Sequence, residues 1–280
     1  ALVGGRAASA LYADHTWYQV LGAGSLWRER TVDLLLIYGI GSVSAVFVAF
    51  LNLSVVGKSI GVLTLPRRLA NVEFGEAVPH KYIDRFAFLL SLVITGAVTP
   101  ALPSWSSLAL ARLGVSFRES DPYFQHDLSF YTAWLPFEKA AYTWAMLLAV
   151  GMSIVVVVLY SLTPGLRWER AGLRMSAHVR RHLSVLAALL LLITMWSYRL
   201  ESYELLIHGN GAGGVFSYVD HQWLLPGLVI LSVVTAAAAI TVLFSGWNGQ
   251  LRTSFIAVTV VVVLSVTVQE VIPLLVRRVI

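Results

Sequence analysis

The chain is 280 residues long, 58% hydrophobic and only 12% charged, with a formal net charge of +5. Soluble domains carry about 25% charged residues, so half that share at a mean hydropathy of +0.75 excludes a soluble enzyme and a disordered chain. The absence of cysteine excludes disulfides, thiolate metal sites, iron–sulfur clusters, c-type haem attachment and a cysteine nucleophile, and the basic excess fits loops facing anionic lipid, not nucleic acid.

In chain order, Ala1 to Arg6 lack the basic start and cleavage site of a signal peptide and there is no initiator Met. The chain is therefore expected to begin inside a longer one. Asp14 to Leu26 is too polar to span and is expected as a short helix in the headgroup layer, as is Ser106 to Phe117. Six runs contain no Asp, Glu, Lys or Arg: Leu34–Gly57, Phe86–Ala111, Ala140–Leu166, His182–Tyr198, His221–Leu251 and Thr253–Gln269, between 17 and 31 residues long. A membrane helix needs about 20 apolar residues, so six runs predict six spans. Continuous apolar character excludes a strand barrel, and the Val-rich stretches 154–159 and 258–263 are expected as helix because lipid leaves no partner for an open sheet edge. Pro100, Pro103 and Pro164-Gly165 close spans, Pro226 opens one, and Pro273 is expected to kink or stop the last.

The loops from Lys58 to Arg85, from Arg167 to Arg181 and at Arg252 hold eleven Lys and Arg against nine elsewhere. This places them in the cytoplasm and both termini outside. Trp17, Trp27, Trp105, Tyr123, Trp134, Tyr198, Tyr218 and Trp223 then form an outer aromatic belt.

No ionisable group falls at mid-membrane depth, which argues against a pump or ion-coupled transporter. All seven His lie in loops or at span ends, with His182 nearest to entering the membrane; this argues against b-type haem. Gly209-x-Gly211-x-x-Gly214 matches a dinucleotide fingerprint, but it lacks the strand and helix that motif needs and is read as a turn. His126, Asp127, Glu201, Glu204, His208, Asp220 and His221 share the outer face at irregular spacing and are read as solvated loop groups before metal ligands. Arg167, Arg170, Arg174, Arg180 and Arg181 are expected on lipid headgroups, at about 1 kcal/mol per charge. No Ser–His–Asp, zinc-helix or phosphate-loop motif is present.

Three outer stretches carry a family resemblance. Asp121-Pro122-Tyr123-Phe124-Gln125-His126-Asp127-Leu128-Ser129-Phe130-Tyr131 with Leu135-Pro136-Phe137 resembles a DPxFxxDlxFYxFxLPF signature. Leu200 to Leu206 resembles LDRYELL, with Glu201 for Asp and Ser202 for Arg. Tyr218-Val219-Asp220 with Leu225-Pro226 resembles YTDxxAxLP, with Val219 for Thr. Tyr12 to Trp27 resembles the aromatic segment that follows the first helix of the same family. Together they resemble the membrane domain of the large uncharacterised bacterial integral membrane proteins. That resemblance implies a seven-helix membrane domain followed by a large extracytoplasmic domain, with no assigned activity. On that resemblance the chain is expected to start after the family's first helix and to stop about where its second domain would begin.

The sequence therefore predicts an all-α polytopic transmembrane bundle of six spans, with short interfacial helices on the outer side, forming one integral membrane domain over 1–280. The expected role is a non-catalytic subunit that scaffolds a larger membrane complex, photosynthetic or respiratory, in the bacterial inner membrane. The alternative is a transporter or lipid-handling protein with a site near the outer face. Candidate outer-face residues are Asp121, Asp127, Tyr131, Glu204, Tyr218 and Asp220. No catalytic residue, metal or cofactor is expected. The expected partners are membrane lipids and other integral membrane subunits.

Overall fold

The computed structural model describes residues 2–60, 64–69, 72–77, 80–163, 165–169 and 172–279. The protein is an all-α polytopic membrane protein. Among the described residues six helical segments are long and apolar enough to cross a membrane: Gly24–Ser59, Lys81–Ala101, Phe130–Ser161, Ala177–Ile207, Asp220–Asn248 and Leu251–Val276. Their backbone groups bond within each helix, as a bilayer requires. Outward side chains such as Val43, Phe47, Ile154, Val233, Phe244 and Phe255 are exposed; in hydrocarbon that exposure costs nothing, so they need no partner in the chain.

The helices are α1 (Leu2–Val20), α2 (Gly24–Ile60), α3 (His80–Val98), α4 (Trp105–Leu113), α5 (Leu135–Ser161), α6 (Ala177–Ile207), α7 (Leu225–Asn248), α8 (Leu251–Val266) and α9 (Ile272–Val279). The first interfacial helix, expected over Asp14–Leu26, is bounded differently: it ends at Val20, and Leu26 already belongs to α2, which begins at Gly24. Helix α1 begins at Leu2 and ends before Gly22, whose φ of 71° breaks the chain. The second, α4, is capped by Ser104, whose hydroxyl accepts the Ser107 N–H. At 37 residues, α2 rises about 55 Å, well beyond a hydrocarbon core of about 30 Å. Its first turns therefore stand in the polar layer.

Two of the basic loops are not irregular. Strands β1 (Thr64–Leu69) and β2 (Val72–Ala77) form one antiparallel hairpin, with Arg68 opposite Glu73. Strands β3 (Leu166–Glu169) and β4 (Gly172–Met175) form another, with Arg167 opposite Arg174. Pro164 and Arg170 lie outside the described residues. In the third basic segment Gly249 takes φ 79° to end α7, which places Arg252 in the first turn of α8.

Three π-helical turns interrupt the spans, at Phe130–Trp134, Asp220–Leu224 and Thr267–Val271. Each is followed at once by an apolar residue and a proline: Leu135-Pro136, Leu225-Pro226 and Ile272-Pro273. The N–H of the residue before proline reaches back five residues, to the carbonyls of Phe130, Asp220 and Thr267. Proline lacks an N–H and its ring collides with the carbonyl four residues back. Widening the preceding turn by one residue relieves that collision and keeps the backbone bonded. Pro273 therefore does not stop the last helix, which passes through its π turn and continues as α9.

The chain divides into two compact units, residues 1–44 with 101–141, and 45–100 with 142–280. In the first unit, Gly41 on α2 leaves room for the Leu102 side chain. In the second, Ala49, Leu53 and Val56 of α2 pack with Ala87 of α3, Met152, Val156 and Tyr160 of α5, and Val179 and Leu186 of α6. Ala188 and Leu191 of α6 meet Ala238, Ala239 and Val242 of α7 and Val261 of α8. Small residues bring α6 and α7 together: a Cβ at Gly246 would run into Ser184, and close approach is what holds helices together in lipid. Gly227 plays the same part against Val268, which would stand 2.5 Å from an added Cβ.

Candidate functional site

The first candidate region is the loop 116–131 of the first unit. Its backbone folds on itself through Asp121 N–H to the His126 carbonyl and Leu128 N–H to the Glu119 carbonyl, both 2.9 Å. Arg118 and Gln125 take positive φ, 61° and 59°. Two carboxylates hold this shape. Asp121 Oδ1 accepts the N–H of Tyr123 at 2.8 Å and of Phe124 at 2.6 Å, and Oδ2 accepts that of His126 at 2.8 Å. Burial opposes ionisation of Asp121. The N–H donors of Phe124 and His126, the Tyr131 hydroxyl and the Tyr123 N–H outweigh it and hold the carboxyl below its ordinary value.

Asp127 accepts the Ser116 hydroxyl, the Phe117 and Arg118 N–H groups at 3.1 Å each, and the Ser129 N–H at 2.8 Å. The hydroxyls of Ser116 and Ser129, then the N–H groups of Ser129 and Phe117, lower its pKa well below the carboxylate range. Asp127 is thus the N-cap of the segment that enters the first π turn. His126 stacks on Phe130, centroids 4.5 Å apart, and Phe130 meets Tyr131 edge-on at 5.3 Å.

The second region is the loop 208–220 of the second unit. Asp220 is fully buried. Its oxygens accept the Asn210 N–H and side-chain amide at 2.9 Å, and the Ser217 N–H and hydroxyl at 2.8 Å. The Asp220 N–H returns to Ser217 Oγ at 3.3 Å. Ser217 and Asp220 form a reciprocal capping box at the start of a helix. The glycine motif is a turn closed on itself, with Gly209 N–H on the Gly214 carbonyl and Gly211 N–H on the Val215 carbonyl, both 2.9 Å. A Cβ at Gly209 would meet the Phe216 backbone, so glycine is required by the turn.

The two loops share a local plan that sequence inspection missed. In each, a side-chain N-cap (Asp127 or Ser217) precedes two helical residues, a five-residue π turn and Leu-Pro. Of the candidates, Asp121, Asp127 and Tyr131 are brought together in the first loop. Asp220 is joined in the second by Asn210 and Ser217 instead. Tyr218 is exposed, and Glu204 lies on α6, where its carbonyl accepts the His208 N–H at 2.7 Å. Glu201, beside it, accepts Gln269 Nε2 at 2.6 Å and so fastens α6 to the π turn of the last span. Among the described residues no three His, Asp or Glu are grouped to hold a metal ion.

Of the five basic candidates, Arg167 and Arg174 are exposed on facing strands. Arg181 is exposed, five residues into α6. Arg180 Nε donates to the Gly246 carbonyl at 2.8 Å and so closes the end of α7.

Two polar groups inside the helices take partners that the sequence does not reveal. Asp33 is 2% exposed and is ion-paired with Arg112 of α4. His182 of α6 joins three helices: Nδ1 stands 2.8 Å from the Tyr160 hydroxyl of α5, and Nε2 stands 2.9 Å from Asn52 Oδ1 of α2. Asn52 uses its NH2 on the Val48 carbonyl, so its oxygen must accept. This makes His182 Nε2 a donor; in the neutral imidazole Nδ1 then accepts the Tyr160 hydroxyl.

These features define a multi-pass α-helical membrane protein whose loop carboxylates are bound into their own turns. Residues 1–280 match the Uncharacterised protein family (UPF0182), and the chain belongs to that family. It is 28% identical to a UPF0182 protein of Synechococcus sp. (strain JA-3-3Ab) over 84% of this chain, and 27% identical to one of Frankia casuarinae over 70%. It is 27% identical to one of Saccharopolyspora erythraea over 99%. The chain covers 25%, 20% and 29% of those relatives' own lengths. No solved structure matches it.

Proposed function

We propose that the chain is a non-catalytic integral membrane subunit of the bacterial inner membrane that stabilises a larger membrane complex, with residues 1–280 acting as one domain and both termini outside. The observation that carries this reading is the state of the signature carboxylates. Asp121 accepts three peptide N–H groups, and Asp127 and Asp220 four donors each, from their own loops. A carboxylate so occupied is a poor base, nucleophile or metal ligand. It is well suited to give a loop one fixed shape for another protein to meet.

The test is extraction of the tagged chain from native membranes in mild detergent, followed by identification of what co-migrates. Companion membrane proteins at fixed stoichiometry are expected. A chain that migrates alone from every mild detergent overturns the reading. The native chain has no Cys, so single introduced cysteines at Ser217 or Arg174, probed with impermeant maleimide, report its sidedness. Labelling of Arg174→Cys from outside the cell would contradict the orientation.

A second reading, a lipid-handling or transport protein, is favoured by one observation, the buried Asp33–Arg112 pair. The pair lines a recess at the start of the uncharged run of α2, where a charged group can meet a polar ligand.

A further inference from the structure

Around that ion pair the first unit holds a recess of about 370 Å³. Its floor is Asp33, its rim Arg28 and Glu29 earlier on α2, and its far wall Arg112 at the end of α4; Val32 and Leu113 flank it. We propose that this recess binds the headgroup of a zwitterionic phospholipid bearing a primary ammonium, of the phosphatidylethanolamine class. The proposal concerns the lipid side of the molecule and holds whether or not the chain has protein partners.

Depth along α2 comes first. Asp33 immediately precedes the uncharged run that opens at Leu34, so the recess starts where hydrocarbon gives way to headgroups. Arg28 lies five residues earlier, about 7.5 Å of helix rise, and the headgroup layer on each side of a bilayer is about 5–8 Å thick. The charged groups therefore span that layer. Val32 and Leu113, 51% and 63% exposed, lie beside them for the glycerol and upper acyl carbons.

Charge comes second. Two arginines and two carboxylates line one cavity. Asp33 engages only Nη1 of Arg112, whose side chain is half-exposed and keeps its remaining N–H donors for a phosphate. Among the described residues Arg28 and Glu29 have no hydrogen-bond or ion-pair partner. An anionic headgroup would set its phosphate against Glu29 with nothing to match the carboxylate. A zwitterion places phosphate on Arg28 and Arg112 and ammonium on Glu29. An ethanolamine ammonium donates hydrogen bonds; a choline cannot.

The test is native mass spectrometry of the purified full chain in mild detergent, titrated with dioleoyl phosphatidylethanolamine, phosphatidylglycerol or phosphatidylcholine. One retained ethanolamine lipid, held about fivefold tighter than either competitor, is the expected result. Arg112→Gln would strand the buried Asp33 carboxylate, so the exposed Arg28→Gln and Glu29→Gln carry the mutational arm. Each is expected to erase the preference at an unchanged unfolding temperature. Equal retention of the three lipids, or an intact preference in both variants, overturns the proposal. Soluble glycerophosphoethanolamine is expected not to displace the lipid; displacement at equal concentration would overturn the lipid assignment and leave a soluble headgroup as the ligand.

Discussion

Asp127 and His182 are both held by side-chain and backbone partners, but by opposite means. Asp127 lies in a loop and is held as a charge, by two peptide N–H groups, a capped helix start and a serine hydroxyl. His182 lies among three helices and is held by uncharged partners, a phenol and an amide oxygen. Near water, ionised carboxylates are inexpensive and organise many donors at once. Among membrane helices a charge costs several kcal/mol, so neutral groups with complementary donors do the joining. The Asp33–Arg112 pair is the intermediate case: a charge just inside the helix, tolerated because its partner is within reach.

Four measurements sharpen or break this contrast. Asp220→Ala should have the largest effect. It orphans the Asn210 and Ser217 N–H groups and the Asn210 amide, for a loss of about 3 kcal/mol or more, visible as a lower unfolding temperature in detergent. Arg112→Ala comes next, at about 2 kcal/mol, since Asp33 stays buried while Arg112 is half in solvent. The double variant Asp33→Asn/Arg112→Ala should recover part of the loss. Tyr160→Phe should cost about 1 kcal/mol by removing the donor to His182 Nδ1. A larger loss than for Asp220→Ala would reverse the contrast.

The smallest effect is a pH dependence. Asp127 has a folded-state pKa depressed below its unfolded value of 3.8. Its contribution is fully present above pH of about 4 and is lost as pH falls through the lower folded-state value. Unfolding midpoints followed from pH 6 down to pH 3 should fall more steeply in the wild type than in Asp127→Asn. Parallel curves would show that Asp127 is not held as a charge.

The six spans were legible because lipid makes apolar run length decisive, and runs of Leu, Val and Ala read as helix whatever their propensity. The π turns were half legible. Pro136, Pro226 and Pro273 mark their places, but Pro226 was expected to open a span and Pro273 to kink or stop one, and a widened turn was foreseen at none of them. The capping box of Ser217 and Asp220 was written in the sequence as Ser-x-x-Asp before an apolar run; the resemblance drew attention to Asp220 as a site instead. Asp33 escaped because counting uncharged runs starts at Leu34 and places any flanking carboxylate outside. His182 was noticed as the histidine nearest the membrane, but its partners stand 22 and 130 residues away, and no periodicity links positions that far apart. The hairpins at 64–77 and 166–175 escaped because basic composition says which side a loop takes and nothing about its pairing.

The most direct test of the central claim, that the signature carboxylates serve their own loops, is amide hydrogen exchange on the intact protein. The N–H groups of Phe117, Arg118, Tyr123, Phe124 and His126 should be protected. Asp121→Ala should release Tyr123, Phe124 and His126, and Asp127→Ala should release Phe117, with the helices unchanged; the Arg118 N–H keeps Ser116 Oγ as a second acceptor at 3.1 Å. If those amides exchange freely in the wild type, or stay protected in both variants, the carboxylates are not what shapes the loop and become available for chemistry.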